Sequence, residues 1–199
     1  MNLPNKLSIL RIILIPVFTA FFFLEVIPFN YLIATAVFGL AAFTDFLDGK
    51  IARKYNLITT LGNFLDTTAD KLLVGMALIL LAVNPTIMYG AEIIPATLCY
   101  ICFTVGVAII LLRDLMIMGL KTICASNNVI VVADKLGKIK AFLTDIAIVF
   151  LLIGLDLPGL AQTIVLIIGY ALFVISVIMT IVSAINYIIK NKQIFSENK

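Results

Sequence analysis

The stretch that decides the fold reads Asp45-Phe46-Leu47-Asp48-Gly49-Lys50-Ile51-Ala52-Arg53, then eight residues, then Gly62-Asn63-Phe64-Leu65-Asp66-Thr67-Thr68-Ala69-Asp70. Its carboxylates are spaced three apart in the first pair and four apart in the second. If both flanks are helical, each pair lies on one helix face. At about 100° per residue, Asp45, Asp48, Gly49 and Ala52 share a face, and so do Gly62, Asp66 and Asp70. Two such helices side by side point four anions into one small space, and anions that close need a cation between them. Hard oxygen donors suit Mg²⁺ or Mn²⁺. A helical glycine costs about 1 kcal/mol relative to alanine. Beside two acids, Gly49 serves to let something bulky approach the backbone. Arg53, one turn on, carries the planar fork that suits a phosphate.

Working outward, 63% of the 199 residues are hydrophobic, only 13% are charged, and the mean hydropathy is +1.19. A soluble domain of this length would not carry so much apolar surface. Apolar runs of about 20 residues are what a bilayer-spanning helix needs, and nothing here alternates with period two. The expected fold is an all-α integral membrane protein, a single domain over residues 1–199 with six transmembrane helices. These are expected at about 7–26, 31–55, 62–83, 95–118, 136–155 and 160–189. Pro4-Asn5, Pro28 to Asn30, Asn84-Pro85 and Pro158-Gly159 read as turns, and Lys121 to Asp134 as a polar connector. Lys6 and Arg11 at the start of the first run give it the look of a signal peptide. No small-residue cleavage site follows before Asn30, so it reads as a retained helix.

Six spans put both termini on one side, together with the second and fourth connections. All 14 Lys and Arg fall on that side or in the adjoining helix ends, while the other three turns carry Glu25, Glu92 and Asp156 and no basic residue. By the positive-inside rule the basic side is cytoplasmic. The aspartate stretch then sits at the cytoplasmic ends of helices two and three. The chain has no histidine, so proton chemistry falls to Asp, Glu, Lys or Tyr. Cys99, Cys102 and Cys124 show neither metal spacing nor a disulfide framework, and Cys99 and Cys102, within an apolar run, read as small core residues. Two other readings of the acids stand beside the metal site. One is an interfacial loop of solvated charges, which leaves the glycines on the same faces unexplained. The other is an ion or metal transporter, which would use acids deeper in the membrane. Asp145, about two turns into helix five, is the one candidate for that.

The pattern Asp45-x-x-Asp48-Gly49-x-x-Ala52-Arg53, eight residues, Gly62-x-x-x-Asp66-x-x-x-Asp70 resembles the signature of the CDP-alcohol phosphatidyltransferase family at every defined position. The resemblance extends over the whole chain, since that family has six transmembrane helices with the motif across helices two and three. It implies transfer of a phosphatidyl group from CDP-diacylglycerol to an alcohol, with release of CMP, at a cytoplasm-facing site in the bacterial cytoplasmic membrane. It implies that Asp45, Asp48, Asp66 and Asp70 bind two divalent ions, Mg²⁺ or Mn²⁺, and that Asp70 is the general base. It assigns Asn5, Ser8, Asp48, Gly49, Ala52, Arg53, Thr59 and Gly62 to the CDP-lipid. The family is commonly dimeric, so a homodimer among membrane lipids is implied, with no nucleic-acid partner.

The motif does not choose the acceptor. Arg113-Asp114 ends helix four and Lys135-Leu136-Gly137-Lys138-Ile139-Lys140 opens helix five. Such lysines commonly anchor helix ends by snorkelling. A phosphorylated acceptor beside four acids would also need them, which makes Arg113, Lys135, Lys138 and Lys140 candidate ligands for its phosphate. The opening Asn2 to Ser8, Arg113-Asp114 and Gly137 to Lys140 look like the bacterial branch that uses glycerol 3-phosphate. Thr67, Lys121 and Ala141 depart from that branch, where proline, arginine and threonine are usual. They leave open another acceptor, such as the phosphatidylglycerol used by cardiolipin synthases of the family.

Overall fold

A computed structural model describes residues 3–54, 60–84, 96–126 and 135–190. Among the described residues there are six helices and no strand: α1 (Leu3–Phe23), α2 (Asn30–Lys54), α3 (Thr60–Val83), α4 (Ala96–Ser126), α5 (Lys135–Asp156) and α6 (Gly159–Lys190). Three segments, Asn5–Phe23, Thr97–Thr122 and Gly159–Lys190, are long and apolar enough to cross a membrane. Many of the large apolar side chains face outward, among them Ile13, Leu112, Phe142 and Ile178. That is the surface of a membrane-embedded protein, whose outer face meets lipid.

Three helix ends differ by three residues or more from the sequence expectation, one of them the end of α1 at Phe23 in place of Val26. α1 begins at Leu3, so Pro4 and Asn5 are helical and not in a turn. Proline is tolerated in the first helical turn, where its missing N–H would have no partner anyway. α4 continues through Lys121 to Ser126, well beyond the expected end near residue 118. Lys121 and Thr122 are exposed, so their polarity does not break the helix. Residues 127–134 of the expected connector lie outside the described residues.

The helices pack unevenly. α5 and α6 form a tight antiparallel hairpin, and α1 packs extensively on both α2 and α3. By contrast, among the described residues, α2 and α3, the two aspartate-bearing helices, meet each other only slightly. The hairpin turns at Gly159, whose φ of +60° lies in the left-handed region open to glycine. Its close approach depends on Gly169: a Cβ there would stand 2.9 Å from Leu151 Cγ and 3.2 Å from its backbone nitrogen. The buried stripe of α1 runs Asn5, Ser8, Arg11, Ile15, Phe18, Phe22, the i+3/i+4 rhythm of one helix face. Phe18 meets Phe38 of α2 at 6.0 Å between ring centroids, and Phe22 meets Tyr31 edge-on at 5.2 Å. At the end of α2 away from the motif, Asp156 of α5 accepts a hydrogen bond from the Leu32 N–H.

Candidate active site

α2 carries Asp45 and, in its last turns, Asp48, Gly49, Ala52 and Arg53; the side chains of the latter four lie outside the described part. α3 carries Gly62, Asp66 and Asp70 in its first three turns. Thr59 lies outside the described residues. Both flanks of the motif are thus helical, as the spacing predicts.

What brings the two halves together is a residue from a third helix. Arg11 of α1 is wholly buried, and its Nη1 lies 2.8 Å from Asp45 Oδ1 and 3.2 Å from Asp66 Oδ1. Its Nε donates to the carbonyl of Ala41 at 3.3 Å. In the sequence Arg11 reads as a flanking charge. Its place in the apolar stripe of α1, on the face that also holds Asn5 and Ser8, is the signal that could have found it. Asn5 and Ser8 are themselves buried on that face.

Asp70 Oδ2 accepts from Lys71 Nζ at 2.8 Å. Lys71 also reaches Asp114 of α4 at 3.8 Å. Asp114 is the hub of a second cluster: Lys140 Nζ donates to its Oδ2 at 2.7 Å and Arg113 Nη1 to its Oδ1 at 2.9 Å. Arg113 Nη2 donates to Ser183 Oγ of α6 at 2.7 Å. Of the expected acceptor ligands, Arg113 and Lys140 therefore meet around Asp114, with Lys140 buried. Lys138 is exposed two turns from Asp145 on the same face of α5, and the side chain of Lys135 lies outside the described part. Lys71 does not stand out in the sequence, because a helix-embedded Lys has no spacing pattern to mark it; Asp114 appears there only as the neighbour of Arg113, with no role of its own.

A cavity of about 40 Å³ joins the parts. Arg11, Asp45, Asp70 and Asp145 line its polar side, and Phe38, Leu73 and Val74 its apolar side. Asp145 thus stands at the motif, on a third helix facing α2 and α3.

The donor set can be tested against a divalent ion. Asp45 and Asp66, from different helices, each bring one oxygen within 3.2 Å of the same nitrogen, so they already converge on one cationic centre. Their side chains remain 41% and 40% exposed, so a ligand can approach them from outside. Among the described residues no three carboxylates form a complete metal cage. Convergent, part-open carboxylates fit Mg²⁺ or Mn²⁺ by hardness and charge.

Residues 1–183 match the sequence profile of CDP-alcohol phosphatidyltransferases. The chain belongs to the CDP-alcohol phosphatidyltransferase family. Relatives of this phosphatidyltransferase include proteins named CDP-diacylglycerol–glycerol-3-phosphate 3-phosphatidyltransferase. That of Rickettsia bellii is 37% identical over 86% of this chain and 93% of its own length. That of Rickettsia felis is 34% identical over 98% and 97%, and that of Bacillus subtilis 38% identical over 76% and 77%. The phosphatidyltransferase match spans every described helix except the last turns of α6.

Proposed function

We propose that this enzyme transfers a phosphatidyl group from CDP-diacylglycerol to sn-glycerol 3-phosphate, giving phosphatidylglycerophosphate and CMP. The observation that carries the reading is the convergence of Asp45 and Asp66 on one cationic centre, beside a cavity shared with Asp70, in a chain whose full-length relatives bear that name. Asp45, Asp48, Asp66 and Asp70 would hold two divalent ions, which supply neutralisation of the charge that builds on the attacked phosphate. Asp70 takes the proton of the acceptor hydroxyl as its oxygen bonds to phosphorus. The bond from phosphorus to the CMP oxygen breaks, and CMP leaves with that electron pair. Lys71, 2.8 Å from Asp70, fixes the carboxylate's orientation for this step. Arg53 grips the CDP-lipid phosphates, with Asn5, Ser8, Thr59 and the small residues Gly49, Ala52 and Gly62 completing that subsite.

Arg113, with Lys135, Lys138 and Lys140, receives the acceptor's phosphate. The exposed Lys138 offers the first contact, and Arg113, held by Asp114 and Ser183, adds its charge. The whole domain, residues 1–199, crosses the bacterial cytoplasmic membrane six times with both termini and the site on the cytoplasmic side, and it works as a homodimer. A transport path would need acids apart from the motif, yet Asp145 lines the same cavity as Asp45 and Asp70.

One observation favours a second acceptor. An apolar groove of about 700 Å³ lies against Arg113, walled by Leu112, Leu115, Met116, Leu120 and Ile188. A lipid acceptor such as phosphatidylglycerol would lay an acyl chain there. The test supplies purified protein with CDP-diacylglycerol and labelled acceptors, and follows CMP. Mg²⁺- or Mn²⁺-dependent CMP release with glycerol 3-phosphate, abolished by EDTA, is expected. Release with phosphatidylglycerol but not glycerol 3-phosphate would move the enzyme to the second reading. Metal-independent release would overturn the chemistry.

A further inference from the structure

The geometry points to Arg11 as a positioning residue of the site. It is a resident counter-ion that ties Asp45 on α2 to Asp66 on α3 and holds down the affinity of those carboxylates for a divalent ion. The inference rests on the metal reading above and goes beyond it. Among the described residues α2 and α3 meet only slightly while α1 packs on both, so α1 helps to register the halves of the motif. Arg11 is where that registration acts on the acids: it is wholly buried and spans both carboxylates with one nitrogen. The hydrogen bond from its Nε to Ala41 fixes the guanidinium plane, so the fork does not swing away.

A buried arginine is costly unless fully paired. A purely structural pairing would enclose its partners as well. Here the arginine is sealed while both carboxylates stay part-exposed, so a ligand that reaches them from outside meets carboxylates already paired with Arg11. A divalent ion bound there shares its donors with a fixed positive charge and is repelled by it. Removing that charge strengthens metal binding. The remaining stripe of α1, Ile15, Phe18 and Phe22, keeps the helices together meanwhile.

The experiment compares wild type, Arg11→Gln and Arg11→Lys in one detergent. Mn²⁺ affinity is read by paramagnetic resonance of the free ion. Melting temperature is read in EDTA and in saturating Mn²⁺. Glutamine removes the charge and can still donate to Ala41; lysine keeps the charge without the fork. Arg11→Gln is expected to bind Mn²⁺ roughly 10- to 100-fold more tightly, the scale of a single charge-assisted hydrogen bond. It is also expected to lose more stability in EDTA than in Mn²⁺, and Arg11→Lys to stay near wild-type affinity. Unchanged or weaker binding by Arg11→Gln beside normal wild-type binding overturns the role of Arg11 alone, as does an equal melting loss with and without Mn²⁺. No saturable Mn²⁺ binding by wild type overturns the metal reading, and this inference with it. If Arg11→Gln does not fold, Arg11→Lys decides: a 10-fold or larger change in its affinity, set against the roughly tenfold floor expected for charge removal, refutes the charge argument.

Discussion

Asp114 is the residue whose replacement gives the most to measure. Its side chain is 7% exposed, and it faces Lys140 at 2.7 Å, Arg113 at 2.9 Å and Lys71 at 3.8 Å. Lys140 and Arg113 are 2% and 13% exposed, so both rely on Asp114 for a counter-charge out of water. Asp114→Asn keeps the shape and removes the anion. Breaking one side of a buried pair costs about 3–5 kcal/mol, because the abandoned charge stays desolvated. For a chain of this size each kcal/mol is worth about 2–4 °C, so the melting temperature falls by roughly 6–20 °C. If the loss comes from the stranded lysine, taking that lysine away restores part of it. Asp114→Asn/Lys140→Met should therefore be more stable than the two single losses summed, by about 1–3 kcal/mol. The assay is thermal unfolding in detergent micelles, followed by circular dichroism, on both single variants and the double. Losses that add to within about 0.5 kcal/mol would refute the reasoning. So would a fall of less than about 3 °C for Asp114→Asn, which would mean the cluster is well hydrated.

Arg113→Ala should raise the KM for glycerol 3-phosphate by roughly 10- to 150-fold while leaving that for CDP-diacylglycerol nearly unchanged, measured by initial rates with each substrate varied in turn. Equal losses for both substrates would place Arg113 elsewhere than at the acceptor. Asp70→Asn should lower turnover by roughly 10²–10⁴-fold and leave CDP binding largely intact, since the amide takes no proton; near-normal turnover at saturating metal would end its assignment as base. Gly169→Ala should cost about 1–3 kcal/mol in the same unfolding assay, because the new methyl meets Leu151 at 2.9 Å and the backbone beside it cannot rotate away.

The aspartate motif is legible because helical chemistry repeats at fixed spacing. Asp45, Asp66 and Asp70 sit on the two helices and around the one site that the spacing implies. The six described helices are legible from apolar length, and the basic residues from their clustering at helix ends. What the sequence hides is the meeting of distant residues. Arg11 lies 55 positions before Asp66, and a charge in an apolar run is equally well read as a snorkelling flank. Lys71 and Asp114 are single residues whose importance arises only where α3, α4 and α5 converge. Asp145 is noticeable for its depth, but only the packing of α5 against α2 brings it to the motif. Helix ends are misjudged where polarity is taken for a break: Pro4 fits a first turn, and Lys121 rides the exposed side of α4.

The pairing of Arg11 with Asp45 and Asp66 also has a consequence for how the chain is made. Asp66 leaves the ribosome 55 residues after Arg11. At about 5–20 residues per second that is a delay of roughly 3–11 s during which the arginine has no Asp66 beside it. An arginine at a helix centre costs insertion about 2.5–3.5 kcal/mol, less near an end. The span Asn5–Phe23 carries that cost and is still long and apolar enough to cross a membrane. α1 is apolar enough to enter a membrane alone, and the pairing relieves the cost of its arginine once α2 and α3 are in place. The arginine's burial is completed only when Asp45 and Asp66 arrive, so the pairing that holds the acids together also ties α1, α2 and α3 into one unit of assembly.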